Sequence, residues 1–275
     1  MGRHFDPAFW ALIALGIAAA ITYGRFFLNR RESIVRALVK TGMMASFAVA
    51  FSLHGAFPPL LIAFGGAALG DFFLAFSKKW TLPLGIFFFL IAQLAYFAIF
   101  LAMWMFSGDN APLWPRYTMM VLLALVVLAY LSWFWNVPEL KHAPVSGRVA
   151  VACFIALGAI VPFIILAVRT LLGHDQDEQS LLAGGGVIGF VVFCGIIGWV
   201  RRDLGALKLA AMTYAGAILL MVVQSLWVPW AGWPVMIGAM LFLLSDLALA
   251  AELFRLPADA PIRELTRPLV WWTYA

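Results

Sequence analysis

Charge is what this sequence is short of. Only 11% of its 275 residues are Asp, Glu, Lys or Arg, less than half the roughly 25% of an ordinary soluble domain. With 65% hydrophobic residues, a water-soluble fold of this size has no way to hide its apolar surface, which excludes a soluble enzyme or carrier. Cysteine is as scarce. Cys153 and Cys194 both fall in apolar runs, where a thiol behaves as a small hydrophobe, so neither a disulfide framework nor a zinc site follows. There is no G-x-S-x-G elbow, no H-E-x-x-H pair and no dinucleotide fingerprint, which argues against common serine and zinc lipase chemistry and implies no cofactor. Gly184-Gly185-Gly186 lacks a strand or phosphate-loop context and reads as a turn. His174, Asp175, Asp177 and Glu178 read as a solvated acidic loop, because they lack a metal-ligand pattern.

What remains is long apolar runs. They are continuous over roughly 17–25 residues, the length a helix needs to cross hydrocarbon, and unlike the ~10-residue alternating segments of a barrel. The expected architecture is an all-α polytopic transmembrane bundle forming one domain over residues 1–275. Breaks at Pro, Gly and charge clusters place spans at 8–26, 36–55, 58–76, 82–106, 117–136, 149–170, 183–200, 207–228 and 234–253. A further span begins at Pro268, so PLVWWTYA reads as the opening of a helix. The first run, Ala8 to Tyr23, follows a weak basic region without a cleavage site and reads as a retained helix.

The net charge of +5 is not a nucleic-acid footprint, since the basic residues sit in short loops between spans. Arg25, Arg30, Arg31, Arg36, Lys78, Lys79, Lys141, Arg148, Arg201, Arg202, Lys208, Arg255, Arg263 and Arg267 fall on one side, and only Arg3, Arg116 and Arg169 on the other. Cytoplasmic loops carry the Lys and Arg excess, so the N-terminus is expected outside, in a bacterial cytoplasmic membrane. Tryptophans near the span ends, among them Trp80, Trp227, Trp233, Trp271 and Trp272, suit an aromatic belt.

Lys40, Asp71 and Asp246 are the charged residues well inside spans. Each costs roughly 2.5–3.5 kcal/mol at a helix centre even on the lenient insertion scale, so each should face the bundle interior or a wet cavity. Counted from the flanking basic residues, they lie roughly 6, 10 and 13 Å inside the cytoplasmic boundary. Leu69–Ala75 and Leu244–Ala250 share the pattern L-[GS]-D-x-x-L-A, as a parallel internal repeat would leave. Such a repeat would bring the two carboxyls to one level. A purely structural account has Lys40 neutralise one aspartate; it leaves the other unpaired, which is costly unless it is protonated.

At these same residues the sequence resembles the YhhN-like lysoplasmalogenase family of membrane enzymes. The stretches that carry it are Lys40, GGAALGDFFLAF (65–76), GIFFFLIAQLAYFAIF (85–100), TYAGAILLMVVQ (213–224) and IGAMLFLLSDLALAAELF (237–254), with WWTYA at the start of a final helix. Gln93 and Thr41 stand where family members often carry histidine and proline, and 137–206 shows no legible motif. The resemblance implies hydrolysis of the vinyl-ether bond of a lysophospholipid substrate drawn from the bilayer. That reaction delivers a proton to carbon and captures an oxocarbenium ion with water, a task for one neutral and one anionic carboxyl, as in glycosidases. Asp71 and Asp246 are the candidate catalytic pair, with Asp246 favoured as acid and Asp71 as anion. Gln93, Tyr96, Tyr214 and Ser245 are candidate contacts to substrate or water, and Lys40 to the lipid phosphate. A proton-coupled transporter using the two aspartates as a relay, and a structural subunit locked by buried charge, are the competing readings.

Overall fold

The computed structural model describes residues 6–78, 80–107, 116, 118, 119, 121–123, 125, 206–254 and 261–275. The expected spans at 149–170 and 183–200, nearly all of that at 117–136, both cysteines and the acidic loop lie outside the described residues. All described elements are helical. They are α1 (Pro7–Thr22), continued by a π turn (Tyr23–Phe27), then α2 (Ile34–Leu53), α3 (Pro58–Leu74), α4 (Thr81–Ser107), α5 (Ala206–Ser225), α6 (Trp233–Phe254) and α7 (Arg263–Tyr274).

Helix starts are set by caps. The Asp6 carboxylate accepts from Phe9 N–H at 2.8 Å, with Pro7 at the first helical position, and Ser33 Oγ accepts from Arg36 N–H at 3.1 Å. These move the starts of α1 and α2 one and two residues ahead of the expected 8 and 36. α3 stops at Leu74, short of the expected 76, and the carbonyl of its cap residue Ala75 accepts from Arg36 Nη1 at 3.2 Å, which satisfies one of the orphan acceptors of the helix end. Beyond it, the Thr81 hydroxyl lies 2.7 Å from Phe76 O and 2.8 Å from Lys78 O, tying the turn into α4. The same turn holds the α1–α2 loop: hydrogen bonds from the Ser77 side chain and backbone keep Glu32 below the usual glutamate range.

The final helix differs most from expectation. It begins at Arg263, and Pro268 lies inside it. A proline there removes one backbone donor and frees the carbonyl of Glu264, which is exposed and can be solvated.

Four described helical stretches are long and apolar enough to cross a membrane: Pro7–Phe27, Ile34–Leu53, Thr81–Trp104 and Trp233–Glu252. Their outward residues are apolar as well. Leu15, Ile17 and Ile21 on α1 and Val35, Leu38, Val49 and Leu53 on α2 are all exposed, as lipid-facing positions should be.

The chain forms two compact units, one of residues Met1–Ile99 with Met240–Ala275 and one of Phe100–Ala239. Within the first, α3 and α4 approach until their backbones nearly touch. A β-carbon on Gly66 would fall 2.9 Å from Phe88 O, and one on Gly70 2.5 Å from the Phe89 ring. Within the second, Arg116 Nη2 donates to Val228 O at 3.2 Å while its guanidinium lies 5.7 Å from the centre of the Trp227 ring.

Candidate functional site

The first unit gathers a charged cluster in its interior. Lys40 comes from the second turn of α2, and Asp71 from the last full turn of α3. Lys40 Nζ lies 3.2 Å from Asp71 Oδ1, with the carboxylate side chain only 2% exposed. The second carboxylate oxygen is also occupied: Tyr274 Oη donates to Asp71 Oδ2 at 2.7 Å. Between them the two contacts engage both oxygens and fix the plane of the Asp71 carboxyl.

Tyr274 is held there by α7, and α7 by its neighbours. The Trp271 indole donates to Ala20 O at 3.1 Å, and its ring lies 4.3 Å from that of Tyr23. The neighbouring π turn, whose i→i+5 spacing departs from the α register, carries Gly24, where a β-carbon would fall 2.6 Å from the Trp272 ring. Ser245 Oγ on α6 donates to Val270 O at 2.9 Å. At the other end of the α6–α7 contact, Thr266 Oγ1 donates to a Glu252 carboxylate oxygen and Arg263 Nη2 to Glu252 O at 2.6 Å. The Tyr274 ring then sits between Phe89 and Phe242, with centroids at 6.0 and 5.7 Å.

Asp246 is placed by that packing. It follows Phe242 by four residues on α6, so the two share a helix face, and Asp246 stands one turn from the ring against Tyr274. It is half-buried. Lys40, Asp71, Ser245 and Asp246 thus belong to one unit, together with Gln93 and Tyr96 of α4. Gln93 has no exposed surface, and neither of its amide atoms has a hydrogen-bond partner among the described residues. Tyr96 packs edge-on against Phe64, centroids 6.4 Å apart. Tyr214 lies half-buried on α5, in the second unit.

Two residues escape the sequence reading. Trp271 is not a belt residue but is buried, 3% exposed, because its indole is engaged by Ala20. Tyr274 was visible only as part of a helix start; nothing in a local pattern ties it to an aspartate 203 positions away.

Apolar helices with lipid-facing outer surfaces and a buried ionic cluster define an integral membrane protein with a polar interior site. The chain belongs to the YhhN family, whose model matches residues 35–194 and 163–275. The matches run through 137–206, where no family motif is legible by eye. No curated protein and no solved structure matches.

Proposed function

We propose that this protein is an intramembrane hydrolase that cleaves the vinyl-ether bond of lysoplasmalogen, giving a fatty aldehyde and a glycerophospho-base. The observation that carries the reading is the Lys40–Asp71–Tyr274 cluster, with Asp246 one turn from the Tyr274 cage. Two donors on Asp71 suit an anion, which leaves Asp246 to be the acid.

The cycle then balances. Asp246 passes its proton to the β-carbon of the alkenyl chain, and the adjacent carbon becomes an oxocarbenium ion beside the Asp71 carboxylate. Water forms a C–O bond at that carbon and gives a proton to Asp71, leaving a hemiacetal. On collapse Asp71 returns that proton to the glyceryl oxygen as the C–O bond breaks, and the hemiacetal hydroxyl proton goes to Asp246. Both carboxyls regain their starting states. Lys40 has donors beyond the one Asp71 uses, so it can order the carboxylate and meet the lipid phosphate. Ser245 spends its hydroxyl proton on Val270 O and can offer substrate only an acceptor.

Around this site we propose nine spans followed by α7, with the N-terminus outside a bacterial cytoplasmic membrane. The parallel repeat is supported by its paired positions: Gly70 and Ser245, each just before an aspartate, both lie at close helix contacts. A transporter is less well supported, because α3 and α6 run unbroken through their aspartates whereas transporter sites use interrupted helices.

The test is to incubate purified protein with lysoplasmalogen and with its saturated alkyl-ether analogue. Aldehyde should come from the first alone, with the second acting as a competitive inhibitor, because an alkyl ether has no carbon to protonate. Release of fatty acid from ester lysolipids instead would sink the assignment.

A further inference from the structure

Hydrolysis inside a membrane needs water where there is none to spare, and Gln93 is placed to hold it. Its carboxamide is fully buried in α4, and its nitrogen and oxygen both lack partners among the described residues. Such a group is costly in hydrocarbon unless something pairs with it. The partner must accept from the amide nitrogen and donate to the amide oxygen. A lipid tail does neither, and an ether or phosphate oxygen only accepts. Water does both.

The register of α3 against α4 says where that water would stand. Gly66 meets Phe88 and Ala92, Gly70 meets Phe89, and Gly85 meets Leu74, so the helices are antiparallel. Gln93 is therefore level with residue 63, about 12 Å along the axis from Asp71. Side chains lean towards the N-terminus of their own helix, so in this antiparallel pair Asp71 and Gln93 lean towards each other. Between them α3 carries Ala67 and Ala63, both buried and small. Thr41 Oγ1, on the residue after Lys40, is also buried and has no hydrogen-bond partner among the described residues.

We propose that Gln93 is a positioning residue that holds resident water on the α3–α4 side of Asp71 and supplies it to the oxocarbenium ion. The proposal rests on the hydrolase reading, and it separates two steps of that reaction. Protonation of the alkene needs Asp246; capture of the cation needs the water at Gln93. If capture is slowed, the cation loses a proton from its β-carbon back to Asp246 and reverts to substrate.

Turnover in deuterium oxide exposes this return. The acid then delivers deuterium, and each reversal that loses hydrogen leaves deuterium on the vinyl β-carbon of recovered substrate. For Gln93→Leu we expect kcat to fall about tenfold or more with KM within about twofold, and recovered lysoplasmalogen to carry deuterium that the unaltered protein does not introduce. Gln93→His, which can still donate and accept, should restore most of the rate; Gln93→Met serves if the leucine variant does not fold. Unchanged kcat in a folded apolar variant would overturn the proposal. So would a lower kcat without deuterium in the recovered lipid, or a loss confined to substrates with a free second glycerol hydroxyl and absent from the 2-deoxy analogue, which would make the lipid hydroxyl the partner of Gln93. No aldehyde from the unaltered protein would instead remove the hydrolase reading beneath it.

Discussion

Two acid–base pairs among the described residues of the first unit are of nearly equal length, and both use a base from α2 or its cap. Lys40–Asp71 is 3.2 Å long and His54–Asp6 is 3.4 Å, yet the acid side chains are 2% and 59% exposed. Distance therefore does not rank them; surroundings do. An exposed pair gains little over its hydrated partners, and salt screens what remains. A buried pair is different. Removing one partner strands the other's charge in a medium that does not solvate it, although the pair as a whole adds little net stability. A cluster retained at that cost invites a functional account, and Asp71 belongs to such a cluster while Asp6 does not.

The contrast is sharpest in turnover. Asp71→Asn and Asp246→Asn should each lower aldehyde release by roughly a hundredfold or more, because one removes the stabilising anion and the other the proton donor. Each variant should still elute as a folded protein in detergent. If either keeps near-normal activity, the two-carboxylate mechanism is wrong and the buried cluster is only a packing device.

Stability should separate the pairs next. Lys40→Met leaves the Asp71 carboxylate buried with Tyr274 as its remaining partner among the described residues, and should cost about 3–5 kcal/mol if the carboxylate stays charged. Adding Asp71→Asn removes the stranded charge and should recover much of that stability without recovering turnover. Thermal melts of the single and double variants in one detergent measure the coupling; additive losses would mean that the two residues do not act as a pair.

A smaller effect is expected at Tyr274. Phenylalanine keeps the ring between Phe89 and Phe242 but takes the hydrogen bond from Asp71 Oδ2. Aldehyde release should fall about tenfold, since a hydrogen bond to a charged group contributes roughly 1.5–3 kcal/mol. KM should hold, as the hydroxyl gives its proton to Asp71 Oδ2. A KM change with kcat intact would place Tyr274 in the lipid pocket instead.

How much of this was legible beforehand divides along the range of the interactions. Lys40, Asp71 and Asp246 stand out because charge inside a twenty-residue apolar run is a local anomaly. The caps at Ser33 and Asp6 are local too, and boundaries counted from charge clusters passed over them. The depth of Asp71 rests on an unbroken helix to Lys78, whereas α3 ends at Leu74 and Arg36 captures Ala75 O just beyond it. That capture joins residues 39 positions apart, and no periodicity encodes it. Trp271 and Trp272 look alike in sequence. Docking of α7 buries one on Ala20 and leaves the other exposed. The same docking brings Tyr274 to the site, which is why the cluster's third member was hidden in a segment whose helix was expected to start five residues late.

The smallest expected effect belongs to the exposed pair, and it tests whether burial is the right variable. Asp6 has two jobs. Its carboxylate accepts from Phe9 N–H at 2.8 Å as the cap of α1, and it faces His54 Nε2 at 3.4 Å. The His54 ring is held independently, with Nδ1 2.9 Å from Ala50 O and its face 5.0 Å from the Phe9 ring. Losing the ion pair should therefore not release the ring. Asparagine caps a helix about as well as aspartate, so Asp6→Asn removes the charge and keeps the cap. Alanine removes both. Asp6→Asn should lie within about 0.5 kcal/mol of the parent, and Asp6→Ala should lose about 1 kcal/mol, most of it the cap. Aldehyde release should be unchanged in both. Should Asp6→Asn prove as costly as Asp6→Ala, and should added salt shrink that cost, the exposed pair contributes through its charge after all, and exposure alone does not separate it from Lys40–Asp71.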